Sequence, residues 1–211
     1  MEFLKQYEYY EDYNIKKYNT YRLNVIAKYL VFINNINELI ELLKYLNKNN
    51  IKYLILGNGS NVIFKDNYYD GVIIKLDKLN KMKVENNLVY VECGYSLMKL
   101  SRDILEYNLS GLEFASGIPG LVGSSIAMNA GAYNKDMASL VKEVTVINDK
   151  LEVITLRKED LDFSYRDSFL KKNKEYICIS SVLELQYGNK EDSLELIKSR
   201  KERRLASQPL E

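Results

Sequence analysis

The chain has 211 residues, of which 46% are hydrophobic, enough to bury one large or two small cores. Its 30 basic and 29 acidic side chains nearly balance, so no overall charge attracts it to nucleic acid or to a membrane surface. The sequence contains no histidine, which excludes Ser-His and Cys-His nucleophiles, and Cys93 and Cys178 lack the spacing of a metal site or disulfide framework. No metal site is expected, and both cysteines are interpreted as core thiols.

The first residues predict a short helix over 2–13, because Phe3, Leu4, Tyr7 and Tyr10 recur at roughly helical spacing. Charged residues every few positions exclude a signal peptide or a membrane span in this stretch. A cytoplasmic location is therefore the default expectation.

A strand, a helix and a second strand are predicted next. Residues 27–33 are rich in branched and aromatic side chains and predict a strand. Asn37 is the predicted N-cap of a helix that ends at Asn49-Asn50, since leucine and isoleucine recur there with helical period. Residues 51–56 predict the second strand.

The loop Gly57-Asn58-Gly59-Ser60-Asn61 follows that strand. The loop is similar to the glycine-rich GxGxxG fingerprint of dinucleotide-binding proteins, which normally begins a helix. Residues 62–64 are strand-like here. The pattern disfavours a doubly wound nucleotide fold and favours a hairpin whose backbone N–H groups form an anion-binding nest. A bare hairpin turn is the alternative.

The middle of the chain predicts a turn at Asp70-Gly71, a strand over 72–76 and another strand over 84–92. A helix is predicted over 97–107, with Ser96 as its N-cap and Asn108 closing it.

Residues 111–133, GLEFASGIPGLVGSSIAMNAGAY, combine five glycines with small residues and almost no charge. Gly117, Gly120, Gly123 and Gly131 are predicted to permit positive φ and to leave their backbone N–H groups unshielded. Such a surface suits a flat or phosphorylated ligand. The alternative is a segment of tight helix packing or turns.

The last third predicts a hairpin, a short turn or helix, a strand and a final helix. These are expected at 141–147 with 151–156, at 158–161, at 177–185 and at 191–206. The final helix carries the basic cluster Lys198, Arg200, Lys201, Arg203 and Arg204, which we interpret as a solvated helix face rather than a nucleic-acid patch.

The wording of two stretches resembles a known family. SGIPGLVGSSIAMNAGAY is similar to the flavin-binding signature of UDP-N-acetylenolpyruvoylglucosamine reductases, and LGNGSN to their pyrophosphate-binding motif. The resemblance extends over essentially the whole chain. It implies an α+β, two-lobed FAD-binding fold of the vanillyl-alcohol-oxidase/PCMH type, with lobes at 1–76 and 77–188 and FAD between them. Residues 189–211 would lead into a substrate-binding domain that this chain lacks.

The resemblance also implies a set of cofactor-binding residues. These are Gly57, Asn58, Gly59, Ser60, Asn61, Gly117, Ile118, Pro119, Gly120, Val122, Gly123, Ser124, Ser125, Asn129, Ala130, Gly131 and Tyr133. A histidyl link to FAD cannot exist in this sequence, so FAD should be bound non-covalently. Where many relatives have glycine, this chain has Asn24-Val25, Ser124-Ser125 and Asn134, and asparagine tolerates positive φ best after glycine.

Arg166, in the motif FSYRDS, is the implied catalytic residue, and Tyr165 and Arg166 are the implied substrate-binding residues. In the family this arginine stabilises the enolate that forms from the enolpyruvyl group. A fixed guanidinium aimed at developing charge could perform that role electrostatically. The alternative is a structural arginine paired with Asp162 or Asp167.

The implied reaction is the NADPH-dependent reduction of UDP-N-acetylglucosamine enolpyruvate to UDP-N-acetylmuramate, a step in peptidoglycan precursor synthesis. In the family a proton-donating Ser lies shortly after a QPLE motif and a Glu near the C-terminus assists. Here the sequence ends at Gln208-Pro209-Leu210-Glu211, so we expect this chain to bind FAD and leave its turnover open. A non-catalytic or split flavin-binding module and an unrelated α+β nucleotide-binding protein are the alternatives.

Overall fold

A computed structural model describes residues 2–207 of the chain. The strands are β1 (Glu8–Asn14), β2 (Ile26–Phe32), β3 (Tyr53–Ile55), β4 (Tyr68–Lys75), β5 (Met82–Glu85), β6 (Leu88–Glu92), β7 (Leu109–Ser110), β8 (Gly131–Ala132), β9 (Lys135–Asp136), β10 (Val141–Ile147), β11 (Val153–Arg157), β12 (Ile177–Glu184) and β13 (Gln186–Tyr187). The α-helices are α1 (Ile36–Lys48), α2 (Leu97–Asp103), α3 (Val122–Ala127), α4 (Phe169–Lys172) and α5 (Lys190–Ser207). Short 3-10 helices lie at Glu2–Gln6, Lys16–Tyr18, Ile104–Tyr107, Glu113–Gly117, Met137–Ser139 and Lys158–Leu161.

The first sheet has the order β1-β2-β4-β3. β1 is antiparallel to β2, whereas β4 runs parallel to both β2 and β3. Helix α1 connects β2 to β3 and buries Leu39, Leu42, Leu43 and Leu46. This spacing places the leucines on one side of the helix, which packs against the sheet residues Val31, Val72 and Ile74.

The second sheet is antiparallel and has the order β11-β10-β12-β6-β5. Residues of α2 and α3 share a hydrophobic cluster with β6 and β10. Ile147, Ile177 and Ile179 of this sheet belong instead to the cluster that contains the α1 leucines. The two sheets are therefore joined by a continuous core and not by a solvated linker.

The predicted lobes meet near residue 76, and the two large sheets fall on either side of that position, at 8–75 and 82–184. The lobe boundaries themselves stay a prediction. Gln208, Pro209, Leu210 and Glu211 lie outside the described residues, as does that part of the predicted 189–211 unit.

Most predicted elements after residue 90 are confirmed in type. The hairpin β10-β11, the short helix at 158–161, the strand β12 and the helix α5 all form. Ser96 caps α2 by accepting from the Lys99 N–H at 3.3 Å, and Asn108 closes the following 3-10 turn with φ of 54°. Asparagine tolerates this left-handed backbone, which explains why the helix ends there.

Two predictions of local structure were wrong near the start of the chain. Residues 2–13 form a short 3-10 helix followed by β1, because the tyrosines of 8–14 pair with β2 instead of continuing a helix. Asn35, not Asn37, caps α1: its side-chain oxygen accepts from the Glu38 N–H at 3.0 Å. The positive φ in this region lies at Arg22, at 51°, and not at Asn24.

Two strand predictions also needed correction. Residues 84–92 are not one strand but the hairpin β5-β6, with a turn at Asn86, whose φ is 54°. Residues 62–64 form no strand, and β3 and β4 are parallel, so the loop 57–61 is not a hairpin turn. A parallel pair needs a longer connection, which here spans residues 56–67.

Candidate functional site

The loop 57–61 leaves the end of β3 with its backbone donors unused. No N–H group of residues 57–62 donates to a protein acceptor within the described part of the chain. Gly59 is nevertheless buried, and its φ of 62° reverses the chain there. Unpaired N–H groups on a tight, glycine-containing turn form a concave surface that suits an anion. The unpaired donors are compatible with the predicted nest, which stays a prediction, and the flanking strands differ from those predicted.

Glycine allows the loop to sit against the segment 15–19. A Cβ atom on Gly59 would collide with the Tyr18 carbonyl oxygen and would lie 2.8 Å from the Asn19 Cα. Asn19 is buried and holds that segment in place, donating to the Ile15 and Leu23 carbonyls at 3.0 and 3.1 Å. Loop 57–61 thus packs against a hydrogen-bonded segment of the first sheet's connection.

The second glycine-rich segment, 117–133, packs closely, but not for the predicted reason. Gly117, Gly120, Gly123 and Gly131 are not among the residues with positive φ. Instead, an added Cβ would lie 2.6 Å from the Ser125 Oγ at Gly120, 2.7 Å from the Cys93 Cβ at Gly123, and 2.5 Å from the Lys135 carbonyl oxygen at Gly131. These glycines are needed because neighbouring atoms approach their Cα atoms. Asn134 does have the expected positive φ, at 59°.

The two segments meet in space. The Asn58 side-chain amide donates to the Pro119 carbonyl at 3.4 Å, and the Asn61 amide lies 3.6 Å from the Met128 sulfur. A Cβ on Gly57 would contact the Ser124 Oγ at 3.2 Å. Residues separated by some 60 positions in sequence therefore line one surface between the two sheets.

Several predicted site residues have side chains that already serve the protein interior. Val122 is fully buried in the core, and Ser125 is buried beneath Gly120. The Asn129 amide donates to Asp136 and to the Ser164 carbonyl, and its oxygen accepts from the Ala138 N–H at 2.9 Å. Because its side chain makes all of these bonds within the protein, Asn129 stabilises the conformation of the segment.

Arg166 lies at the edge of this surface. Its φ is 55°, and its guanidinium donates to the Gly131 carbonyl at 2.6 Å and lies 5.8 Å from the centre of the Tyr165 ring. Asp162 and Asp167 pair instead with Lys172, so the structural alternative of an Arg166–Asp pair is wrong. The Tyr165 side chain is 89% exposed, and both residues are available to a ligand.

Helix α5 brings two further arginines to the same place. Arg204 donates to the Gly117 carbonyl at 2.6 Å, and its guanidinium lies directly where a Cβ on Gly117 would stand. The Arg200 guanidinium lies 4.5 Å from the centre of the Tyr133 ring, and its Nη1 atom is buried without a hydrogen-bond partner in the described structure. The interpretation of the whole basic cluster as a solvated face was therefore wrong for these two. Lys198, Lys201 and Arg203 are exposed.

A buried salt-bridge partner in the first sheet was missed altogether. Lys75, at the end of β4, has no exposed surface and donates to the Gly57 carbonyl at 2.5 Å. The run Val72 to Lys75 is buried on both faces of the sheet. A lysine at the end of such an apolar run could have indicated a buried charge from the sequence alone.

The cofactor expected here is compatible with the donor set. The unpaired N–H groups of 57–62 suit a diphosphate, whereas the glycines of both segments pack closely against neighbouring protein atoms. Among the described residues, no helix is both long and apolar enough to cross a membrane, and no group of His, Cys, Asp and Glu is placed to hold a metal ion.

Comparison with known proteins identifies the class. Residues 27–157, well over half of the chain, match a family model described as an FAD binding domain. The fold also resembles that of an alkyldihydroxyacetonephosphate synthase (TM-score 0.60, 14% identity, covering 79% of this chain and 33% of that one). A similar fold occurs in Phl p 4, a glucose dehydrogenase (TM-score 0.65, 13% identity, covering 85% of this chain and 41% of that one). The chain thus has the predicted α+β FAD-binding fold and belongs to this FAD-binding family.

The predicted resemblance to one group within that class is confirmed. The chain is 39% identical over 206 residues to the UDP-N-acetylenolpyruvoylglucosamine reductase of Caldicellulosiruptor saccharolyticus, covering 97% of this chain and 66% of the relative. It is 38% identical over 200 residues to that of Clostridium kluyveri, covering 95% and 66%. A crystal structure of the Thermus caldophilus reductase superposes with a TM-score of 0.79 at 27% identity, covering 96% of this chain and 70% of that one. The chain spans about two thirds of the length of these curated relatives.

Proposed function

We propose that this chain is the FAD-binding part of a flavoprotein reductase that converts UDP-N-acetylglucosamine enolpyruvate to UDP-N-acetylmuramate with NADPH. One observation carries the proposal: two glycine-rich segments, 57–61 and 117–133, meet on one surface with unpaired backbone donors on the first and Arg166 beside the second. The names of the relatives and the family description support the same function.

The residues have distinct parts in this proposal. The backbone N–H groups of 57–61 hold the diphosphate of FAD, because they have no protein acceptor of their own. Segment 117–133 offers its small side chains to the rest of the cofactor, and Asn129 keeps that segment in shape. When bound, FAD supplies the hydride chemistry that the side chains of this chain lack.

Arg166 is the proposed catalytic residue, with Tyr165 beside it for substrate binding. A guanidinium stays protonated at all relevant pH values, so it can stabilise negative charge that develops on the enolpyruvyl carboxylate and its enolate. Its bond to the Gly131 carbonyl fixes it before substrate arrives, so little reorganisation is needed. The lobes at 1–76 and 77–188, a UDP-sugar substrate and a cytoplasmic location belong to the same proposal.

Cofactor binding and turnover need separate tests. The purified chain should be yellow and should release FAD on denaturation; a colourless protein that fails to take up added FAD would refute the proposal. In a preparation that reduces the UDP-sugar substrate, Arg166→Ala should keep FAD but lower kcat at least 100-fold. This loss corresponds to about 2.7 kcal/mol of transition-state stabilisation. Arg157→Ala, in strand β11, is the matched control for loss of a guanidinium. Unchanged kcat in Arg166→Ala would remove this residue from the mechanism.

The second candidate is a non-catalytic or split flavin-binding module that keeps the FAD-binding fold. It predicts bound FAD that NADPH and the UDP-sugar together do not turn over. Adding a separately made chain with the remaining third would then restore product formation if the module is split.

A further inference from the structure

Lys75 is a buried charge that the proposed mechanism does not use. Its exposed fraction is 0%, although it is the last residue of a strand in the sheet that carries the loop 57–61. Removing an ammonium group from water costs several kcal/mol unless partners compensate it, so full burial requires an explanation.

The partners of Lys75 compensate it only in part. The ammonium donates to the Gly57 carbonyl, lies 3.2 Å from the Asp77 Oδ1 atom and lies 5.1 Å from the centre of the Tyr18 ring. Asp77 is the single carboxylate in this group, and its Oδ1 is buried without a well-aligned hydrogen bond among the described residues. Burial lowers the pKa of Lys75 more than the Asp77 charge raises it. An additional negative charge nearby would therefore stabilise the ammonium.

The bond to Gly57 sets the orientation of the loop. The structure has no cis peptide bonds in its described part, so the Gly57 carbonyl and the Asn58 N–H point in opposite directions from one planar peptide. Because Lys75 holds the carbonyl on its own side, the Asn58 N–H is directed away from Lys75. The backbone N–H groups that follow Gly57 in the loop have no protein acceptor, and the Asn58 N–H is the first of them.

The support on the other side of the loop involves the same residues. The Tyr18 ring contacts the Lys75 ammonium, and the Tyr18 carbonyl lies against Gly59. Lys75 therefore touches the beginning of the loop directly and its centre through Tyr18.

We propose that Lys75 is a positioning residue for the diphosphate of FAD, which orients the N–H groups of loop 57–61 through the Gly57 carbonyl and supplies a buried positive charge behind them. This inference rests on the proposed binding of FAD. Binding of the anion and the charge on Lys75 are then thermodynamically coupled, so each favours the other.

Substitution by methionine tests the charge while keeping a similar length and volume. Lys75→Met should weaken FAD binding at least fivefold, measured as flavin fluorescence quenching on titration of the apoprotein. The melting temperature of the apoprotein should fall, because the buried Asp77 Oδ1 and the Gly57 carbonyl lose their ammonium partner, so FAD affinity is measured on the folded fraction. Lys142→Met removes a lysine that is exposed on the second sheet and should change FAD affinity less than twofold.

A purely structural Lys75 gives a different result. It would leave the FAD dissociation constant of folded Lys75→Met within fivefold of the wild-type value, whatever the change in melting temperature. That outcome overturns the inference while leaving FAD binding in place. Failure of the wild-type chain to bind FAD overturns the proposed function as well, so the two failures are distinguishable.

A second measurement needs no variant for its readout. In protein labelled with 13C at lysine Cε, the Lys75 resonance, assigned by its absence in Lys75→Arg, reports the pKa of this group. FAD should raise the pKa of Lys75, whereas riboflavin, which lacks the diphosphate, should not. Should FAD leave the titration unchanged, or riboflavin shift it equally, the charge of Lys75 is not coupled to the diphosphate and the inference is wrong.

Discussion

Gly59→Ala is the most direct test of how the loop 57–61 is supported. The substitution adds one methyl group at a buried position where φ is 62°. Holding alanine in a left-handed backbone costs about 1–2 kcal/mol, and forcing a methyl into a filled space costs about 1–3 kcal/mol. Reduced freedom of the unfolded chain returns about 0.4–1 kcal/mol.

The net loss is expected to be about 1–4 kcal/mol, because the atoms that the methyl meets belong to the backbone of Tyr18 and Asn19. For a domain of this size each kcal/mol lowers the melting temperature by about 2–4 °C, so the expected decrease is roughly 2–16 °C. FAD affinity should fall as well, since the loop must move away from residues 18–19 to admit the methyl. Thermal unfolding followed by circular dichroism gives the first quantity, and fluorescence titration with FAD gives the second.

Gly111→Ala is the matched control. Its φ of 115° makes alanine unfavourable there too, but the added Cβ would meet only the Leu140 side chain, at 3.5 Å. This variant should lose stability from backbone strain and keep its FAD affinity within about twofold of wild type. If Gly59→Ala melts within 1 °C of wild type and binds FAD equally well, the loop does not rest on residues 18–19 and the reasoning fails.

Two further predictions concern titratable groups in the interior: Glu113 and Cys93 are buried, and Cys178 is half-buried. Burial alone would raise the pKa of Glu113, but bonds donated by the Gly111 N–H and the Ser193 hydroxyl outweigh it and lower the pKa below 4.5. A lowered pKa stabilises the fold above pH 4.5, and this contribution is lost as the pH falls below that value. Glu113→Gln should therefore flatten the acid limb of a plot of melting temperature against pH. An unchanged limb would contradict this expectation. Burial raises the pKa of the Cys93 thiol well above 9.0 and that of Cys178 to about 12, so the native protein should react negligibly with Ellman's reagent at pH 8, while both thiols react after denaturation. A rapidly reacting thiol in the native protein would show that one of them is exposed.

Elements with strong local signals were predictable because neighbouring residues determine them. Ser96 and Asn108 bound the α2 region through bonds and backbone angles within a few residues. The 57–61 loop was recognisable for a similar reason, since glycine and asparagine allow the sharp reversal that exposes N–H groups. Residues 8–14 were not predictable in this way, because their strand depends on pairing with β2, some 20 residues later.

The glycines of 117–133 show the same division. Their density indicated close approach, but whether they serve positive φ or close packing depends on what lies opposite them: Ser125, Cys93, Lys135 and Arg204. Arg200 and Arg204 looked like part of a solvated helix face because their sequence neighbours are charged. Only the packing of α5 brings them to Tyr133 and Gly117.

By itself, the sequence determined the FAD-binding class and the two glycine-rich segments. These depend on an order of small residues that few other folds require. Only the tertiary structure brought 57–61 next to 117–133, placed Arg166 on Gly131 and buried Lys75 behind the first loop. These contacts join residues some 20 to 60 positions apart. Their geometry follows from the packing of two sheets around one core, which no local pattern of residues encodes.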